Sequence, residues 1–141
     1  MYDGIDKLPI KGLNIRLKAK DSGSLSTQSA IYYKKIKVGK IKNIDLNTNA
    51  KYVNIDIFIY KKYQNLVRKN TEFYNVSGID IDVSLVGANV KADSLNSVMF
   101  GGISFSTPNE FGKKAKNNSS YVLHEEADTQ WLEYNPEILL K

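Results

Sequence analysis

Apolar and polar residues alternate with a period of two through most of this chain. Leu13, Ile15 and Leu17 alternate with Asn14, Arg16 and Lys18, which predicts a half-buried strand. Ile31 to Val38 reads as a second strand. The phase then shifts, because Ile36 and Val38 are apolar at even positions and Ile41 is odd. A bulge or sharp bend at Gly39 accounts for that change. Ile44 and Leu46 close a third strand before the turn Asn47-Thr48-Asn49. Val53, Ile55, Ile57 and Ile59 give the cleanest alternation and predict a long strand. Tyr60 to Asn70 reads as a polar connection with one helical turn around Gln64 to Val67, and Phe73 to Val76 is strand-like. Ile79, Ile81, Val83 and Leu85 alternate with Asp80, Asp82 and Ser84, and Gly87-Ala88-Asn89 turns the chain into Val90-Lys91-Ala92, a hairpin return.

A different pattern follows. Leu95, Val98, Met99 and Phe100 form an apolar knot at helical spacing. Asp93 or Ser94 can cap its start and Gly101-Gly102 ends it. A strand, Ile103 to Ser106, comes directly after. On spacing, the knot is either a core plug or an apolar loop presented outside the domain. About seven short strands with turn signals between them argue an all-β fold, a small barrel or sandwich with one short helical turn. The barrel domain is expected over residues 13–108, after an arm over residues 1–12 broken by Gly4, Pro9 and Gly12. Asn109 to Ser120 is polar and lysine-rich, and Tyr121 to Lys141 regains apolar residues ending in Ile138-Leu139-Leu140. Residues 109–141 therefore read as a linker and the start of a following segment, a C-terminal extension.

Composition narrows the chemistry. The chain has 141 residues, a net charge of +5 and no cysteine. A thiol nucleophile, a zinc–thiolate site and a disulfide framework are excluded. The basic excess favours phosphate-bearing partners, whether nucleic acid or anionic lipid headgroups. No stretch approaches the roughly 20 apolar residues of a membrane-spanning helix. Asp80 and Asp82 share one side of a strand with Asp93 nearby in sequence, but a solvent face opposite Ile79, Ile81 and Val83 explains them without catalysis. His124, the single histidine, is followed by Glu125 and Glu126, which lacks metal-ligand spacing. No serine lies in a nucleophile elbow. No metal, cofactor or catalytic constellation is expected. The run Lys34, Lys35, Lys37, Lys40 and Lys42 beside Tyr32 and Tyr33 leaves one alternative, a barrel that binds single-stranded nucleic acid through its Tyr32–Lys42 face.

Ser24 to Ile41, SLSTQSAIYYKKIKVGKI, resembles an MCE domain. Leu25, Ser29, Ile31, Tyr33, Lys34, Ile36, Val38, Gly39, Lys40 and Ile41 fit that family's pattern. Ser24, Gln28 and Lys35 stand where it usually has glycine, and Ala30 where it has proline. Met1 to Pro9 resembles the arm before later MCE repeats, Leu66 to Gly78 the Val-Arg and Phe-x3-Ser-Gly block, and Ser94 to Pro108 a Ser-Leu helix, two glycines and Ile-x-Phe-x-Thr-Pro. The blocks fall in the family's order and are most similar to the paraquat-inducible protein B type, which carries several MCE domains in tandem. The resemblance implies a seven-stranded β-barrel and a hexameric ring in the periplasm. It also implies an inner-membrane anchor in a segment absent here, and non-enzymatic movement of phospholipid or other lipid through a central apolar pore. It assigns Leu95, Val98, Met99 and Phe100 to the pore lining and implies no nucleic-acid partner.

Overall fold

The computed structural model of the protein describes residues 11–76 and 101–140. Seven strands lie within them: β1 (Gly12–Ala19), β2 (Ala30–Tyr33), β3 (Ile36–Leu46), β4 (Val53–Tyr60), β5 (Glu72–Val76), β6 (Gly102–Ser106) and β7 (Ser119–His124). They close a barrel in the order β1-β4-β3-β2-β6-β5-β7. The β1–β4, β4–β3, β3–β2 and β5–β6 pairs are antiparallel. The β1–β7, β2–β6 and β5–β7 pairs are parallel. Helix is limited to two 3-10 turns, Lys61–Leu66 and Trp131–Glu133, among the described residues. The expected strands Ile79–Leu85 and Val90–Ala92, and Asp80, Asp82 and Asp93, lie outside the described residues.

Alternation becomes a solid core. Ile15 and Leu17 of β1, Ile55, Ile57 and Ile59 of β4, Phe73 of β5, and Ile103 and Phe105 of β6 all point inward and are buried. A small barrel has an interior just wide enough for such side chains. Phe73 stacks obliquely on Phe105 at 5.2 Å and edge-on to Tyr121 at 5.0 Å. Leu25 of the 20–29 loop joins this core at one barrel end, and Leu66 and Val67 join it at the other.

Three expectations change in the structure. The stretch Ile31–Val38 is two strands, split by a tight turn at Lys34-Lys35, whose φ angles are 52 and 68. Both central residues of a two-residue hairpin turn of this kind need positive φ. That geometry leaves Ile36 outside the barrel at 56% exposure. The phase change of β3 comes from extra residues beside Gly39. Val38, Ile41 and Ile44 face the core three apart, and pairing with the neighbours skips at Val38 and again at Lys42. Gly39 itself is needed for close approach, since a Cβ there would sit 2.3 Å from the Phe58 carbonyl oxygen. Finally, Ser119–His124 closes the barrel, although it straddles residues read as the end of a linker and the start of a following segment. Only Tyr121 and Leu123 of that strand enter the core, so its sequence carries little apolar signal.

Strand directions define the two ends. The 20–29 loop, the β3–β4 turn, the end of β5 and the start of β6 gather at one. The β2–β3 turn, the first 3-10 turn and the connection from Thr107 to Asn118 gather at the other.

Candidate functional site

Residues 77–100 connect Val76 to Gly101 in sequence. Val76 and Gly102 are directly paired in the β5–β6 ladder, so both ends of that segment are fixed side by side. The double glycine has two separate causes. Gly101 has φ +71, a left-handed conformation that glycine adopts without cost. Gly102 is required by space, because a Cβ would lie 2.8 Å from the Ala30 carbonyl oxygen and 2.8 Å from the Tyr32 ring. The root of the segment is thus held rigidly against β2. Leu95, Val98, Met99 and Phe100, the residues to which the resemblance assigns the pore, lie outside the described residues.

The outer face beside this root is also apolar. Tyr32 of β2, Ser104 and Ser106 of β6, and Tyr74 of β5 point away from the core, and the chain after β7 folds back over them. Trp131 packs on Tyr74 at 6.1 Å and on the His124 ring at 4.8 Å. A groove of about 880 Å³ remains between the barrel and this strap. The side-chain oxygen of Asn75, buried in its wall, has no hydrogen-bond partner among the described residues. This covered face has a signal in the sequence that the strand pattern alone does not exploit: Phe73-Tyr74 places large residues on both faces of β5.

The other candidates separate in space. Tyr33 turns inward and packs on Phe105 at 5.1 Å, and burial raises its pKa. Lys37, Lys40 and Lys42 are exposed, and Lys42 Nζ is held by Asn14 Oδ1 at 2.6 Å. Lys34 and Lys35 instead line the outer groove with Tyr32 and Tyr33, so the lysine run does not form one continuous face. His124 Nε2 lies 3.3 Å from Glu72 Oε1, and among the described residues no three His, Cys, Asp or Glu side chains gather as a metal site.

At the opposite end a short polar chain ties the elements together. The Arg68 N–H donates to Thr71 Oγ1 at 2.7 Å, leaving the Thr71 hydroxyl to donate to Thr107 Oγ1 at 2.8 Å. Thr107 in turn donates to the Leu66 carbonyl at 2.7 Å. Tyr121, whose hydroxyl donates to the Arg68 carbonyl at 2.8 Å, has its pKa pushed up to about 12 by burial.

A family model described as MlaD protein matches residues 11–104. The chain is 41% identical over 114 residues to the lipophilic envelope-spanning tunnel protein B of Escherichia coli (strain K12), covering 81% of this chain and 13% of that protein. It is 41% identical over 112 residues to a probable intermembrane transport protein of Haemophilus influenzae (strain ATCC 51907 / DSM 11121 / KW20 / Rd), covering 79% of this chain and 12% of that protein. The chain spans about an eighth of the length of the curated relatives it matches.

Proposed function

The chain belongs to the MlaD protein family, and on that premise we propose that it is a non-enzymatic module for moving lipid across a bacterial envelope. Copies assemble into a hexameric ring in the periplasm, anchored to the inner membrane by a segment outside this chain. The 77–100 segment of each copy presents Leu95, Val98, Met99 and Phe100 to a central apolar passage. Methionine and phenylalanine suit acyl chains, because both are apolar and methionine adapts its shape.

The observation that carries this reading is the filled barrel. Its inward side chains, among them Leu17, Ile57 and Phe73 at 0% exposure, leave no lumen for an acyl chain. A lipid path then has to run outside the barrel, and the segment that carries the four candidates joins it between the paired residues Val76 and Gly102. The relatives' names, an envelope-spanning tunnel and an intermembrane transporter, support the same role.

Native mass measurement of the purified chain, with extraction of bound lipid, tests it. Lipid is expected to copurify and to be lost in the Met99→Asp/Phe100→Asp double variant. Undiminished lipid in a folded double variant refutes the pore assignment.

A further inference from the structure

The barrel end opposite the root of segment 77–100 is strongly basic. Lys61 and Lys62 of the first 3-10 turn, Lys69 before β5, and Lys113, Lys114 and Lys116 of the connection into β7 are all exposed. None of these six is ion-paired among the described residues. The two segments are stitched into one surface. The Lys69 N–H donates to the Lys113 carbonyl at 2.9 Å, and Arg68 bridges to Lys114. Lys61, Lys62 and Lys114 line a single shallow groove of about 550 Å³ together with Leu140. Among the described residues, Glu110 and Glu137 are acids on this side, Glu133 lines the outer groove beside Lys34 and Lys35, and Glu72 at the start of β5 is turned toward His124.

Apolar side chains sit at the same rim. Leu139 is 73% exposed and Leu140 41%, and the carbonyl of Leu139 is held at this end by the side-chain amide of Asn65 at 3.2 Å. Phe111 is partly exposed with the Arg68 guanidinium over its ring at 4.6 Å.

We propose that this end is a docking face for an anionic lipid bilayer surface. Ammonium groups act as hydrated point charges and suit a diffuse layer of headgroup phosphates, to which each lysine adds attraction. Leucine side chains beside them enter the interface between headgroups and acyl chains. A nucleic acid gains nothing from exposed leucines and needs free ring faces. The Phe111 ring is covered by Arg68 and the Tyr63 ring by Lys62. Docking by this end points the root of segment 77–100 away from the membrane. The inference does not rest on the pore assignment.

Cosedimentation of the 141-residue chain with vesicles tests it, comparing phosphatidylglycerol/phosphatidylcholine mixtures with pure phosphatidylcholine at low and high salt. Binding is expected only to the anionic vesicles and should fall steeply with salt. Neutralising a surface lysine weakens such binding roughly fivefold, so Lys61→Gln/Lys62→Gln/Lys114→Gln should weaken it about 100-fold. The charge-matched variant Lys18→Gln/Lys20→Gln/Lys51→Gln, at the opposite end where β1 pairs with the start of β4, should change it only slightly, and Met99→Asp/Phe100→Asp should leave it intact. Equal weakening by the two lysine triples overturns the proposal, because net charge then suffices. So does equal binding to phosphatidylcholine, or displacement from anionic vesicles by a single-stranded oligonucleotide.

Discussion

Lys34 and Lys35 occupy the two central positions of the β2–β3 turn with φ angles of 52 and 68. A residue with a Cβ is disfavoured by about 1–2 kcal/mol in that left-handed region. Replacing Lys35 by glycine removes the clash but adds about 0.4–1 kcal/mol of unfolded-chain entropy. The expected gain is therefore about 0.5–1 kcal/mol. Lys34→Asn adds a few tenths more, since asparagine tolerates this conformation. That second change also removes the exposed hydrogen bond from Lys34 Nζ to Asn135 Oδ1, worth at most a few tenths of a kcal/mol in solvent. The double variant should then gain about 1 kcal/mol, raising Tm by roughly 3–5 °C for a domain of this size. Thermal and urea denaturation both read this, the latter as a higher midpoint at unchanged slope. Lys35→Ala separates the causes: it removes the charge and keeps the Cβ, so stability should barely move. A double variant no more stable than the parent, or an alanine variant as stable as the glycine one, refutes positive-φ strain as the explanation.

Three further outcomes follow from the same geometry. Gly102→Ala places a methyl 2.8 Å from the Ala30 carbonyl oxygen and should cost about 1–3 kcal/mol by urea titration, while a loss under about 0.5 kcal/mol contradicts the close β2–β6 approach. Thr107→Val leaves the Leu66 carbonyl without its donor and the Thr71 hydroxyl without its acceptor, an expected loss of about 1–3 kcal/mol; a neutral result denies that the three-member chain forms. Tyr121 has a folded pKa raised from 10.0 to about 12, so the stability it contributes is full below about pH 10 and is lost as pH rises from about 10 through about 12. Tyr33 shifts in the same direction, so Tyr121→Phe should flatten but not abolish the fall in urea midpoint across that range, and an unchanged slope argues against the buried phenol.

The residues that made the family legible are mostly core residues. Ser29, Ile31, Val38, Ile41, Val67, Ile103, Phe105 and Thr107 are buried, so the ordered blocks encode the barrel and its packing. Thr107 illustrates this: its place in the Ile-x-Phe-x-Thr-Pro block serves the hydrogen bond to Leu66. The outer groove under Trp131 was much less legible. Its residues, Tyr32, Tyr74, Ser104 and Trp131, come from four separate stretches, and only the double-sided apolar character of β5 hinted at a cover. The basic end was hidden for a related reason. Lys61 and Lys62 lie more than 50 positions from Lys114 in the chain but line one groove with it, while the obvious run from Lys34 to Lys42 spreads over a turn and the outer side of β3.

In β1 and β4, which side chains face inward was decided by the sequence alone. Side-chain direction alternates locally along a strand, so Leu13-x-Ile15-x-Leu17 and Val53-x-Ile55-x-Ile57-x-Ile59 state their own orientation. Which strands become neighbours was decided only in three dimensions. β7 lies parallel between β1 and β5, partners more than 40 residues away whose choice depends on closing the barrel and covering Phe73. Its own residues, with two core positions and an exposed Val122 between them, carry too weak a period to announce a strand. The Lys34-Lys35 turn is the converse case. Neither lysine favours positive φ, and the β2–β3 pairing imposes it on both, because the energy of closing the sheet exceeds the local preference of two residues.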